Sequence, residues 1–317
     1  MEDWKIEYCK ILNNNTVSAE DYKKAISIKR PYTPPKLYKY FSCPETSLKV
    51  IESELLLLKS PNTYNDPFEC YEYIDDETVI KEAIRLEMNE FINQLIEDKI
   101  FTAKQGEFLL KSQDPLGFII SSIKSKIPIA TIEKKFTELN ESVKKSFEHK
   151  IDTFQSMTKM SCFSEKNDNL LMWGHYSKNH EGVCIEFDTA DWKENRIIEQ
   201  LLFPVLYTET LFNATQHIIN SYRGEFANNR YNRISWISKS IDWQYEKEWR
   251  IIMVNDVYQN GYMLPVKNIS AVYLGAKIAE SLKYKLIQGC SKKKIPVYSG
   301  SISRKQYRIE FEQLNVA

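Results

Sequence analysis

Glycine is scarce in this chain, 9 among 317 residues, and forms neither a GxGxxG turn nor a P-loop, so the two commonest backbone cradles for phosphate are excluded. The six cysteines, at 9, 43, 70, 162, 184 and 290, form no CxxC pair and keep no metal-ligand spacing. That argues against a zinc site and a disulfide framework, and for free thiols in a reducing cytosol. Net charge is lacking too. With 43 basic against 43 acidic residues the chain is no wholesale nucleic-acid or membrane-surface binder, and any polyanion site must be local. No stretch approaches about 18 consecutive apolar residues. The start MEDWKIEYCKILNNN has no basic cluster leading into an apolar run, so the expectation is a cytoplasmic protein with no membrane partner.

The sequence also lacks internal repeats and low-complexity linkers, which favours one core over two beads. Residues 1–30 read as a polar helical extension closed by Pro31, Pro34 and Pro35. Residues 31–317 are predicted to form a single α+β domain on a mixed or antiparallel sheet. A strand at Leu37–Phe41, a helix at Glu45–Ser53 and an apolar strand at Leu55–Leu58 open it. From about 76 to 154, amphipathic Glu-, Lys-, Ile- and Leu-rich periodicity predicts a helical insertion that is scaffold and supplies no catalytic groups. Strands are then predicted at 158–163, 182–187, 202–207, 248–254, 269–274 and 306–312, with helices at 166–177, 209–221 and 279–289.

Chemically capable residues concentrate in a few blocks: Leu37-Tyr38-Lys39-Tyr40, Asn65-Asp66-Pro67-Phe68-Glu69 after Tyr64, Cys162-Phe163-Ser164, Met172-Trp173-Gly174-His175-Tyr176, Gly182 to Phe187, and Glu246-Lys247-Glu248-Trp249-Arg250. In combination they resemble the ordered signature of a bacterial family known only as a domain of unknown function, over Leu37 to about Gly275. The resemblance implies no activity, so chemistry has to be read from the residues.

Glu246 and Glu248 stand two apart, and a strand would project both carboxylates to one face, about 6.5–7 Å apart. Like charges that close raise one pKa and prepare acid/base work. The plain alternative is a strand start whose glutamates are solvated or pair with Arg250. This acidic pair, the Ser161-x-x-Ser164 strand end and the early first strand resemble, by arrangement, an ADP-ribosyltransferase layout. That resemblance implies NAD as substrate, with Lys39 or Tyr40 standing where those enzymes carry Arg or His and Tyr38 beside them in the binding set. It also implies Ser161 and Ser164 at the nicotinamide ribose, Glu248 as catalytic acid and Glu246 as its substrate-facing partner. Cleavage of a C–N glycosidic bond passes through a cationic sugar, which a carboxylate stabilises.

Around that pair, Trp173 or Tyr176 would stack on a flat ring while His175 donates a hydrogen bond or moves a proton, and Arg250 completes the binding set. An aromatic helix packed in the core is the plain alternative. His175 and His180 are five apart with no third ligand nearby, so no metal is expected there. Asp66 reads either as a turn cap before Pro67 or as a site carboxylate. With Glu69, Glu186 or Asp188 and the Glu246–Glu248 pair, it could instead supply oxygen ligands for Mg²⁺, as in a metal-dependent nuclease. The basic 281–308 segment, and Arg223, Arg230 and Arg233 among aromatics, could take a nucleotide or nucleic acid. The expectation is an intracellular bacterial effector, ADP-ribosyltransferase-like or otherwise NAD-consuming, such as a phage-defence toxin. The alternatives are the nuclease and a non-enzymatic nucleotide or protein sensor.

Overall fold

The computed structural model describes residues 2–13, 18–99, 101–111, 134, 137–138, 141–142, 144–145, 156–224, 232–254 and 261–315. Its strands are β1 (Lys36–Phe41), β2 (Leu55–Leu58), β3 (Glu72–Tyr73), β4 (Thr158–Ser164), β5 (Val183–Asp188), β6 (Leu202–Pro204), β7 (Leu206–Thr208), β8 (Phe212–Asn213), β9 (Ser238–Ser240), β10 (Glu248–Val254), β11 (Tyr262–Pro265), β12 (Ile269–Leu274), β13 (Val297–Ile302) and β14 (Ile309–Gln313). Eight of them build one sheet in the order β14-β13-β12-β5-β1-β4-β10-β6. Every neighbouring pair is antiparallel except β12 and β13, which the helix Glu280–Lys292 joins in parallel. The protein is α+β, as expected.

Alternation along the strands assigns the two faces of this sheet. Phe163 meets Phe187 and Trp192 edge-on in a buried group. On the same side Trp249 lies under Trp4, ring centroids 6.4 Å apart. The opposite side carries Tyr40, Trp173 and Tyr273. Residues 1–30 therefore do more than extend the chain. Trp4, Tyr8 and Leu12 recur at helical spacing and are all buried, and Lys29 is buried with its ammonium on the carbonyls of Glu199 and Leu202.

β1 and β4 part company early. β1 keeps six register pairs with β5 but one with β4, Tyr38 opposite Ser164. Beyond that pair, β4 carbonyls that would enter a ladder need other donors. The Lys39 ammonium takes the Cys162 carbonyl at 3.1 Å. The Tyr64 hydroxyl takes that of Met160 at 2.8 Å, beside the Lys59 amide at 2.9 Å. The Leu55–Leu58 strand pairs with β11 outside the main sheet, so Leu57 is exposed where a buried run is expected.

The chain divides into two compact units, one of residues 1–71, 155–211 and 230–317 and one of 72–154 and 212–229. The second unit holds the helices Asp76–Glu97, Ala103–Lys111 and Thr215–Tyr222, with Val79, Ala83, Ile218 and Ile219 as a buried cluster, and the parallel pair of β3 and β8. It thus draws in a later segment that sequence periodicity does not link to the 76–154 helices. Most of 112–155 lies outside the described residues.

Candidate functional site

Where β1 and β4 separate, a cleft of about 630 Å³ opens in the first unit. Tyr38, Lys39 and Tyr40 from β1, Cys162 and Ser164 from β4, His175 and Tyr176 from the helix Leu170–Tyr176, and Glu246 and Glu248 all line it. Blocks far apart in sequence meet at one concavity, and all three strand elements named in the expected layout come from neighbouring strands, β1, β4 and β10.

The carboxylates arrive differently from the expected Glu-x-Glu strand. Glu246 ends a 3-10 turn, Ile241–Glu246, and Lys247 turns the chain through a left-handed φ of 44°, so only Glu248 belongs to β10. A non-glycine residue holds that conformation only where its surroundings fix it. Here they do. Ser164 Oγ donates to the Glu246 carbonyl at 2.7 Å, Asn169 Nδ2 to the Tyr245 carbonyl at 2.8 Å, and the Glu165 amide to the Lys247 carbonyl at 3.1 Å. The Glu248 amide donates to the Tyr207 hydroxyl at 2.8 Å.

The two side chains then converge on one ammonium. Lys239 Nζ sits 2.6 Å from Glu246 Oε2 and 3.0 Å from Glu248 Oε2. Arg250 Nε and Nη2 donate to Glu248 at 2.9 and 3.2 Å. Behind them Arg250 Nη1 lies 2.6 Å from Glu69 Oε1, an ion pair off hydrogen-bond alignment. All five residues of this network are buried. Burial and then the Glu248 charge push the Glu246 carboxyl up to about 7, against the pull of Lys239 and of the Tyr176 hydroxyl, which donates to Glu246 Oε1 at 2.6 Å. Burial opposes Glu248 ionising as well, but Arg250 and Lys239 outweigh it and hold that carboxyl well below the usual range. One glutamate is a fixed anion, and its neighbour exchanges a proton near neutrality.

The remaining expected site residues divide. Arg250 is fully buried and committed to Glu248, Glu69 and the Trp236 carbonyl, so it supports the pair and does not reach the cleft. Pairing of a glutamate with Arg250 does occur, though in the interior and not at a solvated strand start. Trp173 is also fully buried, its indole donating to the Asn167 carbonyl at 2.6 Å, and belongs to the core. The Ser161 hydroxyl is buried without a hydrogen-bond partner among the described residues and does not line the cleft. Asp66 caps the following turn, accepting the Phe68 amide at 2.9 Å. His175 is exposed at the rim, ring centroids 6.4 Å from Tyr245. Glu186 has donors of its own, Lys36 at 2.6 Å, Tyr273 at 2.7 Å and Ser270 at 2.8 Å, and Glu69 is held by Arg250. Arg223 pairs with Glu82 at 2.9 Å within the second unit, while Arg230 and the side chain of Arg233 lie outside the described residues. The 281–308 segment spreads over a helix, β13 and a loop, and Lys293 and Arg308 in it pair with Glu54 and Glu310.

Lys239, Tyr207 and Asn169 went unnoticed in the sequence. For Lys239 the one signal is a lone lysine between Ile237 and Ile241 in an otherwise apolar and hydroxyl-bearing run.

Fold and site together define an α+β protein with a cleft at a parted strand pair, backed by a buried network of three carboxylates and two cations. Residues 172–251 match the family model described as "Protein of unknown function (DUF2971)", a stretch that contains the His175–Tyr176 and Glu246–Glu248 sides of the cleft. The Leu37–Tyr40 and Asn65–Glu69 blocks lie outside it. No curated protein and no solved structure matches the chain. No helix among the described residues is long and apolar enough to cross a membrane.

Proposed function

We propose that the protein cleaves the C–N glycosidic bond of NAD, passing ADP-ribose to water or to an acceptor nucleophile. The observation that carries this reading is the convergence on one cleft of Tyr38 and Lys39 from β1, Ser164 from β4 and Glu248 from β10, three adjacent strands, with Glu246 from the 3-10 turn before β10. Glu248 is the permanent anion facing the developing sugar cation. Breaking the bond leaves its electron pair on the nicotinamide nitrogen, and no proton is needed to expel that neutral leaving group. The sugar cation is captured by the nucleophile, whose proton passes to Glu246. With a carboxyl near 7, Glu246 suits that base role. Tyr176 keeps Glu246 oriented and stays protonated, because burial beside that carboxylate raises its own hydroxyl.

Charge counting adds support. Three carboxylates against Lys239 and Arg250 leave one net negative charge on the network when all five groups are ionised, and none once Glu246 is protonated. Turnover should therefore rise with pH through about 7. The nuclease alternative finds its acids elsewhere engaged: Glu69, Glu246 and Glu248 are drawn onto Arg250 and Lys239, and among the described residues no group of three His, Cys, Asp or Glu is arranged to hold a metal ion. The test is nicotinamide release from NAD by the wild type, Glu246→Gln and Glu248→Gln, with and without EDTA. Activity that EDTA abolishes would move the assignment to a metal-dependent enzyme.

A further inference from the structure

The cleft holds more positive charge than its carboxylates need. Lys239 is spent on Glu246 and Glu248, yet Lys39 and Lys59 also line the cavity, and neither forms a salt bridge with a carboxylate among the described residues. The Lys39 ammonium donates to the Cys162 carbonyl at 3.1 Å and lies over the Phe163 and Phe41 rings, 5.5 and 5.8 Å from their centroids. Lys59 is exposed on the lip, with its backbone tied to Met160 by two hydrogen bonds of 2.9 and 2.8 Å, so its position is fixed while its ammonium is free to reach. Burial is the main influence disfavouring the charged form of Lys39, and Lys59 adds a repulsion smaller than the attraction of either Cys162 or Glu248. That attraction offsets only part of the effect of burial. Two ammonium groups lining one concavity, one of them half-buried and neither paired with a carboxylate among the described residues, favour an anion in that concavity. Ser42, Thr46 and Thr63 line the same cleft.

We infer that Lys39 and Lys59 form an anion subsite of this cleft that takes the diphosphate of a nucleotide substrate. The choice of a diphosphate rests on the proposed NAD reading, whereas the anion preference rests on the lysines alone. The sequence has no glycine-rich loop to cradle phosphate, and the lysine ammonium groups supply charged donors in this cavity.

The test is calorimetric titration of the full chain with inorganic pyrophosphate, and separately with ADP-ribose, at ionic strengths of about 0.01 and 0.15 M. Lys59→Glu and Lys59→Arg are the main variants, because an exposed lip residue can be changed without unfolding the protein. Lys39→Met serves as a second variant, checked for its fold by circular dichroism. Expected are saturable pyrophosphate binding that weakens with salt, a loss of about tenfold or more in Lys59→Glu, and retention in Lys59→Arg. ADP-ribose should bind more tightly than pyrophosphate if the subsite serves a nucleotide. Pyrophosphate that does not bind the wild type, or binds Lys59→Glu equally well, overturns the proposal. The two readings fail separately. Pyrophosphate binding lost in Lys59→Glu, with no NAD consumption, would sink the reaction and leave the subsite. NAD consumption with an unchanged KM in Lys59→Glu would sink the subsite and leave the reaction.

Discussion

Replacing Lys239 by Met keeps an unbranched apolar side chain and removes the ammonium that lies 4.9 Å from the Trp243 ring centroid and holds Glu246 and Glu248 together. Three buried carboxylates then face Arg250 alone. Breaking a buried ion pair from one side typically costs about 3–5 kcal/mol, because the partner charge is left uncompensated. At roughly 2–4 °C per kcal/mol for a body of this size, the melting temperature should fall by roughly 6–20 °C. All six tryptophans lie in the first unit, so tryptophan fluorescence follows that unit as it melts. The loss should shrink in acid, since protonating Glu246 removes the repulsion. Lys178→Met is the control: its pair with Glu181, at 2.9 Å, is exposed on both sides and should contribute about 0–1 kcal/mol. A Lys239→Met variant that melts within that same margin, at pH 8 as at pH 5, refutes the picture of a dry, charge-balanced network.

Further outcomes follow from the same geometry. Because the folded-state pKa of Glu246 lies above its ordinary 4.5, the folded protein keeps a proton that the unfolded chain releases. Glu246 therefore makes stability fall as pH rises from about 4.5 to about 7, after which its effect is level. Denaturant titrations across that range should lose this slope in Glu246→Gln. Glu248 has the opposite sign: its stabilisation is complete above 4.5 and disappears only in stronger acid, as pH falls through its lowered folded value. Tyr176→Phe removes a donor to the ionised form of Glu246, so the pH midpoint of turnover should move upward, and an unmoved midpoint would show that Glu246 is not the titrating group. Trp4→Ala deletes a ring stacked on Tyr32 at 4.6 Å and on Trp249, and should cost about 3–5 kcal/mol in denaturant melts. A loss within about 0.5 kcal/mol would mark residues 1–30 as a dispensable extension.

Much of the sheet was legible in short strand-like runs: Thr158–Ser164, where polar and apolar residues roughly alternate, and Glu248–Val254, where an apolar run follows Arg250, form strands where they were expected. Val297–Ile302 escaped, since a strand reading VYSGSI carries a glycine and two serines. That glycine has a packing reason, as a Cβ at Gly300 would come within 2.6 Å of the Leu274 carbonyl of the neighbouring parallel strand. Within the site, the blocks around Tyr38, Ser164, Tyr176 and Glu248 stood out by composition. What the sequence hid was how Glu246 approaches. Its position depends on a 3-10 turn, on the left-handed backbone of Lys247, and on Lys239 being folded back to meet it, none of which leaves a periodic trace. Trp173 and Arg250 misled for a related reason: residue type signals chemical capability, while burial decides whether that capability faces a ligand.

The most direct test of the central claim is release of nicotinamide from NAD, followed chromatographically at pH 8 in the presence of EDTA, for the wild type beside Glu248→Gln. A nearly isosteric amide removes only the charge that faces the sugar cation. The account predicts release by the wild type that EDTA leaves unchanged, and a loss on the order of 10²–10³ in rate for a folded Glu248→Gln. No release by the wild type, or release that Glu248→Gln sustains at the same rate, contradicts it.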